Sequence, residues 1–246
     1  MGTTIEALLR ALEGDAPVQQ VLMGAFWTAV TVGTDPPRCG LASTLGAAVH
    51  HSAPPVGGAG RLQQHTGREL AEWLRSSSVL EASIGMAAYN ALLEVDEAAC
   101  TELNAADLIV QQGSGRRVAI VGHFPFVDQV RQAAEVCWVL ELNPRPGDLA
   151  ADQAPEVLPQ ADVVALTGTS LVNHTFDDLI GLCDPKAFVL VLGASAPLTP
   201  VLFQHGVDAI AGTKVVDVPA VLQAVGQGAT FRQIPGKRLL TMQRSG

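Results

Sequence analysis

At 246 residues the chain is long enough to bury a full core, and the usual size of domains divides it more naturally into two modest units than one large one. Hydrophobic residues make up 48% and charged residues 16%, with 15 Lys+Arg against 24 Asp+Glu and a formal charge of -9; this balance repels phosphate backbones and argues against nonspecific nucleic-acid binding. No stretch approaches the roughly 20 uninterrupted apolar residues that a membrane helix requires, so a soluble chain is expected.

The opening MGTTIEALLRALEGD contains acidic residues and lacks a basic start followed by a long apolar run, so it does not read as a secretory signal. Glu6 also stands where a myristoylation signal prefers Ser or Thr. Cysteines 39, 100, 137 and 183 form no CxxC pair, which fits a reducing compartment, and the cytoplasm is expected. Ile5, Leu8, Leu9 and Leu12 recur at helical spacing behind Thr3 or Thr4 as cap, predicting a helix over 3–13. VQQVLMGAFWTAVTVG (18–33) predicts a hairpin or a bulged pair of strands, and CGLAST a third strand. HHSAPPVGGAG (50–60) predicts a loop. Helices then resume at Thr66 or Gly67 and over 76–94, where Gly85 allows close packing. Strands followed by helices make this first unit α+β.

QQGSGRR (111–117) is polar and glycine-containing, and it sets the expected boundary between a domain at 1–112 and a second at 113–246. Beyond it the pattern gives strand 118–121, helix 126–135, strand 136–140, strand 162–167, helix 174–183 and strand 187–192. A short helix near 200–204, the segment DAIAGTKVV and a closing helix in VPAVLQAVGQG complete the chain. Strands alternating with helices of about ten residues predict a mainly parallel sheet covered on both faces, an α/β Rossmann-like unit.

Three apolar strands in this unit run into small polar loops: VAIVGHFPFV, DVVALTGTSLVNHTF and FVLVLGASAPLTP. Loops that follow the strands of an open α/β sheet share one edge, where ligands bind, so the three are expected to form one pocket. In the first, Gly122 permits a sharp turn or close ligand approach, and Pro125 restricts Phe124 to extended backbone. His123 can contact an anion, move a proton or bind a metal, or simply hydrogen-bond to the other domain. In the second, Thr167, Gly168, Thr169 and Ser170 offer three hydroxyls around one glycine. Asn173 reads equally as a helix N-cap or as part of an anion site at a helix start. His174 is a second candidate ligand or a solvated first-turn residue. In the third, Gly193, Ala194, Ser195 and Ala196 make room ahead of Pro197, and GASAP is not a nucleophile elbow.

Familiar cofactor patterns are missing. GSG at 113–115 precedes its strand rather than following it, and no GxxxxGK[ST] occurs, so no standard NAD or ATP motif is present. Histidines 50, 51, 65, 123, 174 and 205 form no HxH or HExxH, so metal chemistry is suggested only diffusely. His50 and His51, in the Gly/Pro loop, are expected to face solvent.

The ordered set GHFPFV, TGTSLVNHTFDDLI and GASAPLTPVLFQHGVDAIAGTKVVD resembles the DUF364 family, labelled as a heavy-metal chelation domain. GAFWTAV, CGLAST and SIGMAAYNALLE resemble its partner domain DUF4213, which is enolase N-terminal-like. The resemblance spans nearly the whole chain. It implies an enolase N-terminal-like α+β domain joined to a Rossmann-like domain, with a pocket where they meet; it does not imply enolase activity. The pocket residues it implies are Gly122, His123, Phe124, Pro125, Thr167, Gly168, Thr169, Ser170, Asn173, Gly193, Ser195 and Pro197. Trp27, Thr28, Cys39 and Asn90 are expected to contribute from the first domain, with His123 and His174 as metal ligands. The implied ligand is a transition or heavy metal, or a metal-containing small molecule. The competing reading is an enzyme on a small anionic metabolite with His123 as acid or base. A homo-oligomer is compatible with so apolar a chain.

Overall fold

The computed structural model describes residues 3–46 and 55–244, so His50, His51 and half of the expected 50–60 loop lie outside the described residues. Thr3 caps α1 (Thr4–Ala11), its side chain accepting from the Glu6 amide. β1 (Val18–Met23), β2 (Trp27–Val32) and β3 (Arg38–Ser43) form the expected antiparallel meander. Thr66 and Glu69 make a capping box for α2 (Gly67–Ala71), and Ser78 caps α3 (Val79–Leu92).

Period-two alternation decides what each face of this small sheet covers. Val30, Val32 and Ala42 point into the core shared with α3, whereas Ala29, Cys39 and Leu41 point toward the second half of the chain. Gly40 is required on the α3 side because a Cβ there would run into the backbone of Ala87 and Ala91. Gly85 plays the same part on α3 against the Leu74 amide.

The second half contains β4 (Cys100–Thr101), α4 (Ala105–Gly113), β5 (Arg117–Val121), α5 (Val127–Ala133), β6 (Val136–Glu141), β7 (Leu149–Ala150) and α6 (Ala154–Val157). These are followed by β8 (Val163–Thr167), α7 (Thr169–Val172), α8 (Phe176–Leu182), β9 (Phe188–Leu192), β10 (Ala209–Val215), α9 (Val218–Gly226) and β11 (Lys237–Gln243). Eight strands join in the order β4-β11-β10-β9-β8-β5-β6-β7. From β10 to β7 every neighbour pair is parallel, while β11 and β4 are antiparallel additions at one side. Both faces are covered: Val164, Leu166, Val189 and Val191 join one core, Val163, Ala165, Leu190 and Leu192 another. Among the described residues no helix is long and apolar enough to cross a membrane.

In two places the elements differ from expectation. Residues after α9 form β11 rather than leaving that helix to close the fold. The hydroxyl-rich loop after β8 is partly helical, as α7. Residues 112 and 113 lie at the end of α4, whose Leu108 and Ile109 pack with Val118 and Ile120.

Candidate functional site

From β5 the sheet grows in one direction through β6 and β7, and the chain then returns to place β8 on the opposite flank of β5. The reversal makes the carboxyl ends of β5 and β8 the switch point of the sheet, the position where open α/β sheets bind ligands. All three sequence-selected loops sit on this edge, because β9, β8 and β5 are consecutive parallel neighbours.

The β5 and β8 loops touch. Gly122 has φ 101, and a Cβ there would lie 3.1 Å from Thr167 Cβ and 3.3 Å from the Phe124 ring. Thr167 and Thr169 hydroxyls are 2.9 Å apart, and Ser170 Oγ donates to the Thr167 carbonyl at 2.7 Å. Gly168 lets the β9 loop close over it, since a Cβ would meet the Ala196 amide at 2.5 Å. Gly122, His123, Phe124, Thr167, Thr169, Asn173 and Gly193 are half-buried and Pro125 is exposed, whereas Gly168, Ser170, Ser195 and Pro197 are buried. The accessible part of the edge is therefore the β5–β8 junction, and the β9 loop serves as packing behind it.

His123 is held from two sides. Its amide donates to Glu141 Oε1 at 2.8 Å, while the Leu142 amide satisfies Oε2 of the same carboxylate. Its Nδ1 lies 2.9 Å from Asp148 Oδ2, and the Asp148 side chain has no solvent exposure. Arg131 reaches Asp148 Oδ1 at 3.3 Å, and the Arg145 amide donates to Oδ2 at 3.2 Å. Burial opposes ionisation of Asp148, but the His123 and Arg145 hydrogen bonds and the Arg131 charge prevail and hold its carboxyl below the usual range. Asp148 lies in the segment NPRPGD (143–148), Arg131 in α5 and Glu141 at the end of β6, and none of them carries a local motif that marks a site. The available signal was strand adjacency: the loop after β6 must lie beside the loop after β5.

Of the first-half candidates, Asn90 meets the β9 loop, and Cys39 and Trp27 pack in the cluster that contains Ala194, Val221 and Val225. Asn90 Nδ2 donates to the Leu41 carbonyl at 2.9 Å and to the Ala194 carbonyl at 3.2 Å. Ser195 Oγ accepts from the Ser43 amide at 2.9 Å. Thr28, fully buried, shares a 2.9 Å hydrogen bond with Thr44. Trp27 packs on Phe231 with ring centroids 5.2 Å apart, and its Nε1 is buried without a partner among the described residues. Cys39 is buried, and burial pushes its thiol up to about 11.

Two expectations for the β8 loop change. Asn173 ends α7 instead of capping the next helix; its Oδ1 accepts from the Thr175 hydroxyl at 2.8 Å and the Thr175 amide at 3.3 Å. His174 takes the left-handed φ of 63 and places Nε2 2.7 Å from the Leu74 carbonyl, so it joins the two halves of the chain rather than His123. A cleft of about 350 Å³ beside it is lined by Thr4, Glu6, Arg75, Ser170, His174 and Asp177, and another of about 470 Å³ lies at the opposite sheet edge around Arg117 and Asp162. Neither contains His123 or Thr167.

Among the described residues no group of three His, Cys, Asp or Glu side chains is placed to hold a metal ion. The carboxylates near His123 are already engaged, and Cys39 is a neutral core thiol. A closed bare-ion site of four protein ligands does not fit this donor set.

The fold defines a two-part α/β protein, with an antiparallel three-stranded sheet and a mostly parallel eight-stranded one. A family model described as "Putative heavy-metal chelation", DUF364, matches residues 104–242, and one with the same description, DUF4213, matches residues 5–93. The chain belongs to the DUF364 family. It is similar to the uncharacterized protein MJ0500 of Methanocaldococcus jannaschii, 28% identical over 154 residues, and spans about 60% of that relative's length and 60% of its own. Crystal structures of DUF364 proteins of unknown function share the fold. The one from Desulfitobacterium hafniense is 24% identical with a TM-score of 0.82, covering 98% of this chain and 96% of that one. The one from Pyrococcus horikoshii is 20% identical with the same TM-score of 0.82, covering 98% of each.

Proposed function

We propose that this protein binds a heavy metal presented in a small-molecule complex, at the crevice between the ends of β5 and β8. The observation that supports this most is the position of His123: a half-buried imidazole at the strand reversal, beside the adjoining strand that ends at Thr167, whose hydroxyl pairs with that of Thr169 in α7. His123 supplies one ligand in this reading, and Gly122, Phe124, Pro125 and the 167–170 loop shape the walls. Asn173, Gly193, Ser195 and Pro197 support them from behind, with Trp27, Thr28, Cys39 and Asn90 as the floor from the first half. His174 is not needed as a ligand. The family description supports the ligand class. The meander-plus-helices order of residues 18–92 supports an enolase N-terminal-like first domain, and four free cysteines support a cytoplasmic setting.

Chelator-free protein titrated with Ni(II), Co(II) and Zn(II), as free ions and as citrate complexes, tests the reading by calorimetry. The complexes bind better than the free ions, and His123→Ala weakens them at least about tenfold. Equal, weak binding of all forms that is indifferent to His123→Ala refutes it.

The hydrogen bond that His123 Nδ1 makes to the Asp148 carboxylate favours one alternative, an enzyme that uses His123 as acid or base on a small anionic metabolite. Its mark is turnover lost in His123→Ala with no metal dependence.

A further inference from the structure

We infer that Asp148 is a positioning residue that fixes the tautomer and the aim of His123, with Arg131 as its brace, so that Nε2 is the nitrogen offered to a ligand. The inference deepens the proposed function, yet it rests on contacts that exist without any ligand.

Three features place Asp148. β6 pairs with β5 in parallel, Val121 opposite Leu140, so the segment leaving β6 runs beside the segment leaving β5. Gly147, with φ 91, turns that segment back. The Asp148 amide closes the turn on the Arg145 carbonyl at 2.9 Å. The carboxylate then arrives at His123 with no solvent exposure.

Each acceptor site has a donor. Oδ1 takes Arg131 Nη2 at 3.3 Å, and Arg131 also reaches the Gly147 carbonyl at 3.2 Å. Oδ2 takes the Arg145 amide at 3.2 Å and His123 Nδ1 at 2.9 Å. An ionised carboxylate only accepts. A neutral imidazole facing it therefore carries its proton on Nδ1, which leaves the Nε2 lone pair free. Among the described residues Nε2 of His123 has no hydrogen-bond partner, while the amide of the same residue is anchored to Glu141. A carboxylate behind an imidazole is also the arrangement that orients ligating histidines and raises their basicity.

Long-range ¹H–¹⁵N correlation spectra of protein labelled at histidine, at a pH where the imidazoles are neutral, read the tautomer directly. His123→Gln identifies the His123 signals by their loss. In the wild type His123 carries its proton on Nδ1; in Asp148→Ala the proton moves to Nε2 in most molecules, and Arg131→Gln gives an intermediate mixture. A wild-type His123 protonated on Nε2 overturns the inference without recourse to any variant. A folded Asp148→Ala that keeps the Nδ1 proton also overturns it.

Binding of Ni(II) citrate adds the functional arm, in which Asp148→Ala costs about ten- to hundredfold in affinity. If the tautomer is as stated but wild-type protein ignores the complex, the ligand assignment fails and the positioning role stands. If wild-type protein binds while Asp148→Ala binds equally well, the positioning role fails and the ligand assignment stands.

Discussion

The Ser195 hydroxyl accepts the Ser43 amide at 2.9 Å across 152 positions of sequence, fastening the loop after β9 to the end of β3. Asn90 reinforces the same seam by donating to Leu41 on one side and Ala194 on the other. Both acceptors are carbonyls, so only a donor fits between them. Asn90→Ala is expected to lower unfolding free energy by about 1–3 kcal/mol, the cost of leaving buried carbonyls unpaired. Asn90→Asp is expected to cost more, because a carboxylate would face two acceptors. Urea unfolding of the three proteins at neutral pH checks the order, and an aspartate variant as stable as wild type contradicts it.

Two glycines separate close packing from conformational freedom. At Gly168 a Cβ would sit 2.5 Å from the Ala196 amide and 2.7 Å from the Ser195 carbonyl carbon, both backbone atoms that cannot swing aside. Gly168→Ala is therefore expected to destabilise by about 1–3 kcal/mol. Gly181, inside α8, would meet nothing within 4 Å. There Gly181→Ala is expected to stabilise by about 0.5–1 kcal/mol, by restricting the unfolded chain and favouring the helix. Opposite signs in parallel thermal melts are the expected result.

Much of this architecture is legible in the sequence because it is written locally. The runs ending at Val121, Thr167 and Leu192 are short, apolar and followed by small residues, and the structure makes them adjacent parallel strands. Thr66 with Glu69 and Ser78 ahead of α3 mark helix starts through their own side-chain chemistry. β11 is hidden in the sequence because Lys237 and Arg238 open it and adjacent Leu239 and Leu240, one exposed and one buried, break the alternation of a half-exposed strand. Asn173 was misplaced because an Asn before an apolar turn signals a cap whether a helix is beginning there or ending. Asp148 was invisible for a different reason: its role depends on which strands are neighbours, and no local pattern in LNPRPGD encodes that.

Cys39 provides a test of how tightly the two halves meet. It faces Ala194, Val221 and Val225 in a shared apolar cluster, and burial raises its thiol to about 11. At pH 8 about one molecule in a thousand then carries the reactive thiolate, before access is considered. Alkylation by iodoacetamide, followed by peptide mass spectrometry, is expected to leave Cys39 unmodified in native protein and to modify it fully in denaturant. Rapid native labelling at Cys39 indicates that the seam opens.

The pair at the opposite sheet edge gives the pH dependence. Arg117 donates to Asp162 through Nη2 at 2.7 Å, Nε at 3.1 Å and its own amide at 3.0 Å. The side-chain bond, then the amide bond, outweigh burial and hold the carboxyl at about 2 instead of 3.8. A folded-state value below the unfolded one means that ionised Asp162 stabilises the fold above the unfolded value, and that this contribution disappears as pH falls toward 2. Asp162→Asn is therefore expected to melt below wild type at pH 7, with the gap closing between pH 4 and pH 2. The gap should be small and should narrow in about 1 M salt, since both side chains remain more than one-third exposed and screened. A gap that persists unchanged at pH 2 assigns the stabilisation to packing rather than to the charge on Asp162.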